Sequence, residues 1–253
     1  MKKFNVLALI PARMGSSRFP GKPMKKILGK PMIHHVYERV NKNQHLTKTY
    51  VATCDKEIAS YLKKNNFNYM MTSKKHKRAS DRCAEALTKI EKIEKRTFDI
   101  IVMVQGDEPM VHPKMITEAI TPFYKKKNIS VVNLLGKFDS KKEFLDNNCI
   151  KVICDEKMNA KYFTRNVPKN FYDVTNKLLG KQVCIIPFKR SMLFKYLKLK
   201  PTFFEIAESV DMWRLLENSL QVKMVPTKFK SYAVDTMKDL IKVSKIMKSK
   251  FFK

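Results

Sequence analysis

An apolar run from Val6 to Ile10 empties directly into a loop, PARMGSSRFPGKP, that ends at Pro23. A run this short and this apolar reads as a strand buried on both faces, which is the pattern of a parallel sheet. Glycines in the following loop let backbone N–H groups come close to a ligand, and Arg13, Arg18 and Lys22 can neutralise phosphate oxygens. A loop of this make-up at the carboxyl end of a first strand is where an α/β sheet holds a nucleotide. It is not a P-loop, because five residues separate Gly15 from Gly21 instead of four. Pro23 also stands after Lys22, where a Ser or Thr would be needed to hold magnesium.

Further along, apolar runs alternate with segments of helical periodicity in the rhythm of a doubly wound, mostly parallel sheet. Strands are predicted at 6–10, 49–53, 69–71, 100–105, 130–135, 150–154, 183–186 and 221–225. Helices are predicted at 31–40, 56–64, 80–93, 113–124, 204–218 and 237–248. Residues 163–181 break the rhythm, so a small excursion about 163–200 is expected, serving as a dimerisation arm or a lid. Neither a linker nor a repeat divides the chain, and one domain over 1–253 is the reading.

The formal net charge is +29, but only 9 of the 52 basic residues are arginine and the lysines are spread from end to end. Arginine is the preferred group for bidentate phosphate and base contacts, and dispersed lysine is mostly a solvated surface. Nucleic acid is therefore not the expected partner. Five cysteines without a CxxC pair suit a reducing cytoplasm better than a disulfide frame or a zinc site. No apolar run approaches the roughly 18 residues of a membrane span.

The fourth predicted strand ends in Gly106-Asp107-Glu108-Pro109, so Asp107 faces the same crevice as the glycine loop. Far away, an apolar segment ends in Val234-Asp235-Thr236. Two such carboxylates are the minimum for a magnesium ion held against a triphosphate, since magnesium takes one or two carboxylates plus phosphate oxygens and water. Taken alone, each aspartate also reads as a helix N-cap.

PARMGSSRFPGKP, GKPMIHHV at 29–36, VQGDEPM at 104–110, IKVICDEKMNAKYFTRNVP at 150–168, the Glu205, Glu208 and Arg214 spacing, and VDT at 234–236 resemble the 3-deoxy-manno-octulosonate cytidylyltransferases, in the same order and over nearly the whole chain. The resemblance implies a Rossmann-like nucleotidyltransferase fold, CTP and a sugar acid as substrates, Mg2+ as cofactor, a homodimer, and a role in surface polysaccharide or lipopolysaccharide synthesis. It implies Arg13, Lys22 and Asp107 as catalytic residues, with Asp107 and Asp235 on the metal. Ala12, Gly15, Ser16, Arg18, Ser80, Arg82 and Gln105 would contact the nucleotide. Arg165, Gln182, Glu205 and Glu208 would contact the acid. Two places depart from the family pattern. Gln182 and Ile186 stand where the family has a histidine and a tyrosine facing the sugar, and Arg78-Ala79-Ser80-Asp81-Arg82 replaces its Ser-Gly-Thr-(Asp/Glu)-Arg loop. A different acid or sugar is therefore expected as acceptor. A competing reading, a nucleotide- or RNA-binding module, would need aromatic stacking platforms interleaved with arginine, and none is seen.

Overall fold

The computed structural model describes residues 4–16, 18–168, 171 and 178–251, without the side chains of residues 250 and 251. In chain order the elements are β1 (Val6–Ala12), β2 (Lys26–Ile27), β3 (Lys30–Pro31), α1 (Met32–Asn41), β4 (Lys48–Thr53), α2 (Lys56–Lys64), β5 (Tyr69–Met71), α3 (Ala79–Glu94), β6 (Ile100–Val104) and α4 (Pro113–Lys125). Then come β7 (Val132–Gly136), α5 (Lys141–Phe144), β8 (Lys151–Cys154), β9 (Ala160–Thr164), β10 (Leu179–Val183), β11 (Ile185–Lys189), α6 (Arg190–Lys198), α7 (Phe203–Glu208), α8 (Met212–Leu216), β12 (Lys223–Pro226) and α9 (Met237–Phe251).

The first sheet has the order β11-β6-β1-β4-β5, and β6, β1, β4 and β5 run parallel. Side chains of β1 alternate between its two faces, as the two-residue period of a strand requires. Val6, Ala8 and Ile10 pack with α1, α2 and α4, and Leu7 and Leu9 pack with α3 and α6. This is the doubly wound α/β core that the sequence rhythm implies. A second sheet, β12-β7-β10-β8-β9, joins it through the Val131–Phe188 bridge. Only β12 and β7 are parallel there; β10 runs antiparallel to both β7 and β8, and β8 antiparallel to β9.

Three details correct the expected element list. The single strand predicted at 183–186 is two strands, β10 in the second sheet and β11 in the first, separated by Cys184. The helix predicted at 204–218 is broken into α7 and α8 at Ser209, whose φ is 53°. The excursion holds β9 and β10 at its ends and continues into α6; its residues 169, 170 and 172–177 lie outside the described residues.

Candidate active site at the carboxyl ends of the parallel strands

The cationic loop is shaped at both ends. Asp55 accepts the Met14 N–H at 2.9 Å, and the Gly21 N–H returns to the Met14 carbonyl at 2.9 Å. Gly21 has φ 69°, a left-handed conformation that a side chain would strain. It opens a short 3-10 turn over Lys22–Met24, with Pro23 where a first-turn proline is tolerated. The turn carries the Lys22 ammonium inward, and Phe19 anchors the loop on a cluster with Val234, Leu240 and Met247.

The carboxylates are built from two other elements. Two residues past the end of β6 stands Gly106, where a Cβ would come 3.0 Å from the Pro11 carbonyl, so glycine lets the chain pass this close to β1 without displacing it. The next residue is Asp107. Its carbonyl accepts the Val234 N–H at 2.9 Å, which ties the Asp107 loop to the segment carrying Asp235. Neither aspartate caps a helix. His112 is the N-cap of α4, and at the start of α9 Asp239 accepts from Thr236 while the Thr236 hydroxyl accepts the Asp239 N–H. Asp235 is thereby left free to turn toward the loop.

Lys22 Nζ donates to Asp107 Oδ2 at 2.8 Å and to Asp235 Oδ1 at 3.1 Å, and Arg18 Nη2 lies 3.0 Å from the same Asp235 oxygen. Burial by itself would lower the Lys22 ammonium, but the two facing carboxylates outweigh it and hold the group above the usual lysine value. Beneath this cluster Glu108 is buried and accepts from the Ser231 hydroxyl at 2.5 Å. Burial, reinforced by Asp107, pushes its carboxyl up to about 7. Two carboxylates that converge on one ammonium also suit a hard divalent cation, so Asp107 and Asp235 fit Mg2+. Among the described residues no cluster of three or more metal-type ligands exists, so phosphate oxygens and water would have to complete the shell.

Two cavities meet at this cluster. One of about 530 Å³ is lined by the glycine loop and by the 76–82 segment, including Ala12, Arg13, Ser16, Lys22, His76 and Arg82. The other, of about 770 Å³, is lined on one side by β10 and β11 and on the other by residues around 210 and 231–243. Arg18, Gln105, Asp107 and Arg165 line both.

Most of the residues singled out in the sequence come together here, with different duties in some cases. Arg82 is buried, donates to Thr72 Oγ1 at 2.6 Å, and keeps its Nη2 without a hydrogen-bond partner among the described residues. Gln182 lines the larger cavity. Gly15 lines neither cavity and stands in the exposed part of the loop. Ser80 is fully buried, donates to Asp211 at 2.8 Å, and lines neither cavity. Glu205 is also fully buried and is occupied by Arg214, at 2.5 and 2.7 Å, and by Arg78 at 3.4 Å. Glu208 lines neither cavity: it accepts from the Arg165 N–H and from Thr164, and its carbonyl holds Arg165 Nε. Neither glutamate lines either cavity, because both are engaged in holding arginines.

Sequence reasoning did not single out Asn148, which accepts from Arg18 at 2.6 Å, or Asn133, which accepts from Gln182 at 2.7 Å. Nor did it find the reach of Arg78 to Ser209 Oγ and the Glu205 carbonyl, both at 3.0 Å. These contacts join residues 49 to 131 positions apart, and no local pattern encodes them.

A cationic glycine loop after the first parallel strand, with paired carboxylates between two cavities, is the architecture of a nucleotidyltransferase. The family model "Cytidylyltransferase" matches residues 7–226. The 3-deoxy-manno-octulosonate cytidylyltransferase of Geobacter metallireducens is 39% identical over 249 residues, covering 94% of this chain and 96% of that protein. The one from Geotalea daltonii is 37% identical, with 97% and 99% covered. The structure of a CMP:2-keto-3-deoxy-manno-octonic acid synthetase complexed with CTP superposes with a TM-score of 0.86 at 31% identity, covering 97% and 99%. The chain belongs to the cytidylyltransferase family, and within it to the 3-deoxy-manno-octulosonate cytidylyltransferases.

Proposed function

We propose that this protein couples CTP to a 3-deoxy sugar acid, giving a CMP-sugar and pyrophosphate for surface polysaccharide or lipopolysaccharide synthesis. The observation that carries the reading is the Lys22–Asp107–Asp235 cluster at the seam between the two cavities. CTP would take the cavity of the glycine loop, with the base toward residues 76–82 and the phosphates toward Arg13, Arg18 and Lys22. The acid would enter the larger cavity, with its carboxylate facing Arg165. Its anomeric hydroxyl then meets the α-phosphorus at the seam: a P–O bond forms to the sugar, the bond to pyrophosphate breaks, and the hydroxyl proton is released. Lys22 and the arginines neutralise the charge that gathers on the leaving group, and the shared walls hold the reactants in line. Mg2+ bound by Asp107 and Asp235 would add Lewis-acid charge at the phosphates.

On α7 the ring of Phe203 and the side chain of Ile206 are 74% and 63% exposed, and Phe203 packs edge-on against Phe204, whose ring meets Tyr162 beside the excursion. This apolar face supports a homodimer, since such patches on soluble proteins mark contact sites. Sedimentation of the wild type beside Phe203→Glu tests it: a dimer that the substitution splits is expected, and a wild-type monomer refutes it. The five free thiols support a cytoplasmic setting, and no described helix is long and apolar enough to cross a membrane.

The test of function is pyrophosphate release with each of the four nucleoside triphosphates against a panel of sugar acids. Release with CTP, dependent on Mg2+ and lost in Asp107→Ala, is the expected result. Release that is indifferent to the acid would refute the transferase reading.

A further inference from the structure

The two cavities share part of a wall, and Ser209 belongs to it. This residue is the break between α7 and α8, in a left-handed conformation at φ 53° that a non-glycine keeps only where its surroundings hold it. The residues on either side shape the acid cavity. Glu208 accepts the Arg165 N–H at 3.0 Å, and its carbonyl takes Arg165 Nε at 2.9 Å. Asp211, two residues after the break, lines that cavity with a side chain 15% exposed. The position of the break therefore sets Arg165 and Asp211 together.

What holds the break comes from the nucleotide side. Arg78 lines the cavity of the glycine loop, yet all three of its guanidinium nitrogens face residues 205–211. Nη1 donates to Ser209 Oγ and Nη2 to the Glu205 carbonyl, both at 3.0 Å, while Nε lies 3.4 Å from Glu205 Oε1. Nη1 also stands 3.8 Å from Asp211 Oδ1, and Ser80 donates to Asp211 Oδ2 at 2.8 Å. One short segment, 78–80, thus grips the end of α7, the break and a carboxylate of the acid cavity. Glu205 is fully buried and the Arg78 side chain is 21% exposed, so solvent screens these contacts less than those of a surface pair. The serine of the family pattern could not reproduce the grip. A hydroxyl ends one atom past Cβ, whereas the planar fork of arginine spans two acceptors at once.

Resting on the cytidylyltransferase reading, we propose that Arg78 is a positioning residue for the acid. It fixes the 208–211 break from the nucleotide side, so the acid site is complete only when the 76–82 segment is in place, and bound CTP tightens the acid. By linkage the acid tightens CTP by the same factor, and couplings of this kind are commonly about 5- to 150-fold.

The experiment has two parts. Steady-state kinetics with 3-deoxy-manno-octulosonate at saturating CTP compare the wild type, Arg78→Ser, Ser209→Ala and the double variant. Lys75→Ala controls for one charge lost from the same segment. Arg78→Ser should raise KM for the acid by about tenfold and change kcat little. Ser209→Ala should raise that KM less, and the double variant no further than Arg78→Ser, since both remove one shared contact. Lys75→Ala should match the wild type. Calorimetry then titrates the acid into each protein with and without an uncleavable CTP analogue, which carries a methylene between the α- and β-phosphates. The analogue should tighten the acid by about tenfold in the wild type and leave its affinity unchanged in Arg78→Ser. Binding of the analogue alone should be the same in both proteins. A merely structural role would lower stability without touching the coupling. If Arg78→Ser keeps the wild-type coupling, or if it weakens the analogue alone as much as it raises KM for the acid, the inference falls and the cytidylyltransferase reading stands. A wild type that releases no pyrophosphate with the acid takes both down.

Discussion

Lys22 is the residue on which two requirements converge, since it faces the acidic pair and borders the cavity of the glycine loop. Without nucleotide, its ammonium is the cation between Asp107 and Asp235, so a divalent ion would have to compete with it. Lys22→Met should therefore do two opposite things. Turnover should fall by about 10²–10³, the usual loss for one preorganised electrostatic donor, while stabilisation of the free protein by Mg2+ should grow. Thermal melts with and without Mg2+ check the second effect, and a Mg2+ response equal to that of the wild type would show that Lys22 does not compete for the pair. A second residue, Glu85, holds the 73–76 segment beside the nucleotide cavity. It accepts from the Ser73 N–H at 2.9 Å, pairs with Lys89 at 2.7 Å and makes a tight contact with His76. Burial alone would raise its carboxyl, yet the hydrogen bonds from Lys89, Ser73 and His76 hold it at about 2, against 4.5 for the free group. A carboxyl held lower in the folded state than in the unfolded one stabilises fully above 4.5, and the contribution drains away as pH falls from there toward 2. Glu85→Gln should cost on the order of 1 kcal/mol at neutral pH, discounted for solvent screening, and nothing once the wild-type carboxyl is protonated. Denaturant melts of both proteins across that window read the difference, which should close from the neutral side downward.

At the scale of elements, the site depends on how closely the tips of β1 and β6 approach. Gly106→Ala would drive a methyl against the Pro11 carbonyl, a backbone atom that cannot swing aside. The strand end must shift, carrying Asp107 with it, and a displacement of a fraction of an ångström is costly where geometry sets the rate. Activity should fall at least tenfold while the melting temperature moves by only a few degrees, since the strand itself stays paired; an active Gly106→Ala would mean that the Asp107 loop absorbs the shift. This dependence explains what could be read from the chain beforehand. The parallel core was legible because β1 and β6 are apolar on both faces, and the loops at their ends carry the glycines and charges of a phosphate site. The path from β10 to β11 was not, because 183–186 is apolar throughout and the change of sheet at Cys184 is a backbone event without a side-chain signature. The break at Ser209 is similar: a non-glycine residue at φ 53° is placed there by tertiary contacts, among them the bond from Arg78, and not by local preference. The meeting of Asp107 and Asp235 was legible because each follows an apolar run, and that of Lys22 because it stands in the cationic glycine loop, whereas the helical spacing of Glu205 and Glu208 says nothing about which arginine they meet.

The whole molecule carries a formal net charge of +29, and most of its lysines line neither cavity. Their reach is set by salt. The screening length is about 30 Å at 0.01 M ionic strength and about 8 Å at 0.15 M. At low salt the entire surface draws a triphosphate inward, and at cellular salt only the groups lining the site, Arg13, Arg18 and Lys22 among them, act on it. The encounter rate should respond and the chemical step should not. A salt titration of the steady-state reaction should therefore show kcat/KM for CTP falling by about tenfold between 0.01 and 0.15 M and then levelling, with kcat nearly constant throughout. The same titration with bulk RNA as competitor separates the two uses to which so much charge could be put. If the lysines are only a solvated surface, inhibition by RNA should disappear before 0.15 M is reached, because dispersed lysines release few counterions from any one length of strand. Inhibition that persists at that salt with a steep logarithmic slope would mean that the lysines form a contiguous track, and that the cytidylyltransferase fold doubles as a nucleic-acid surface. A kcat/KM that ignores salt altogether would confine the electrostatics of capture to the cationic loop itself.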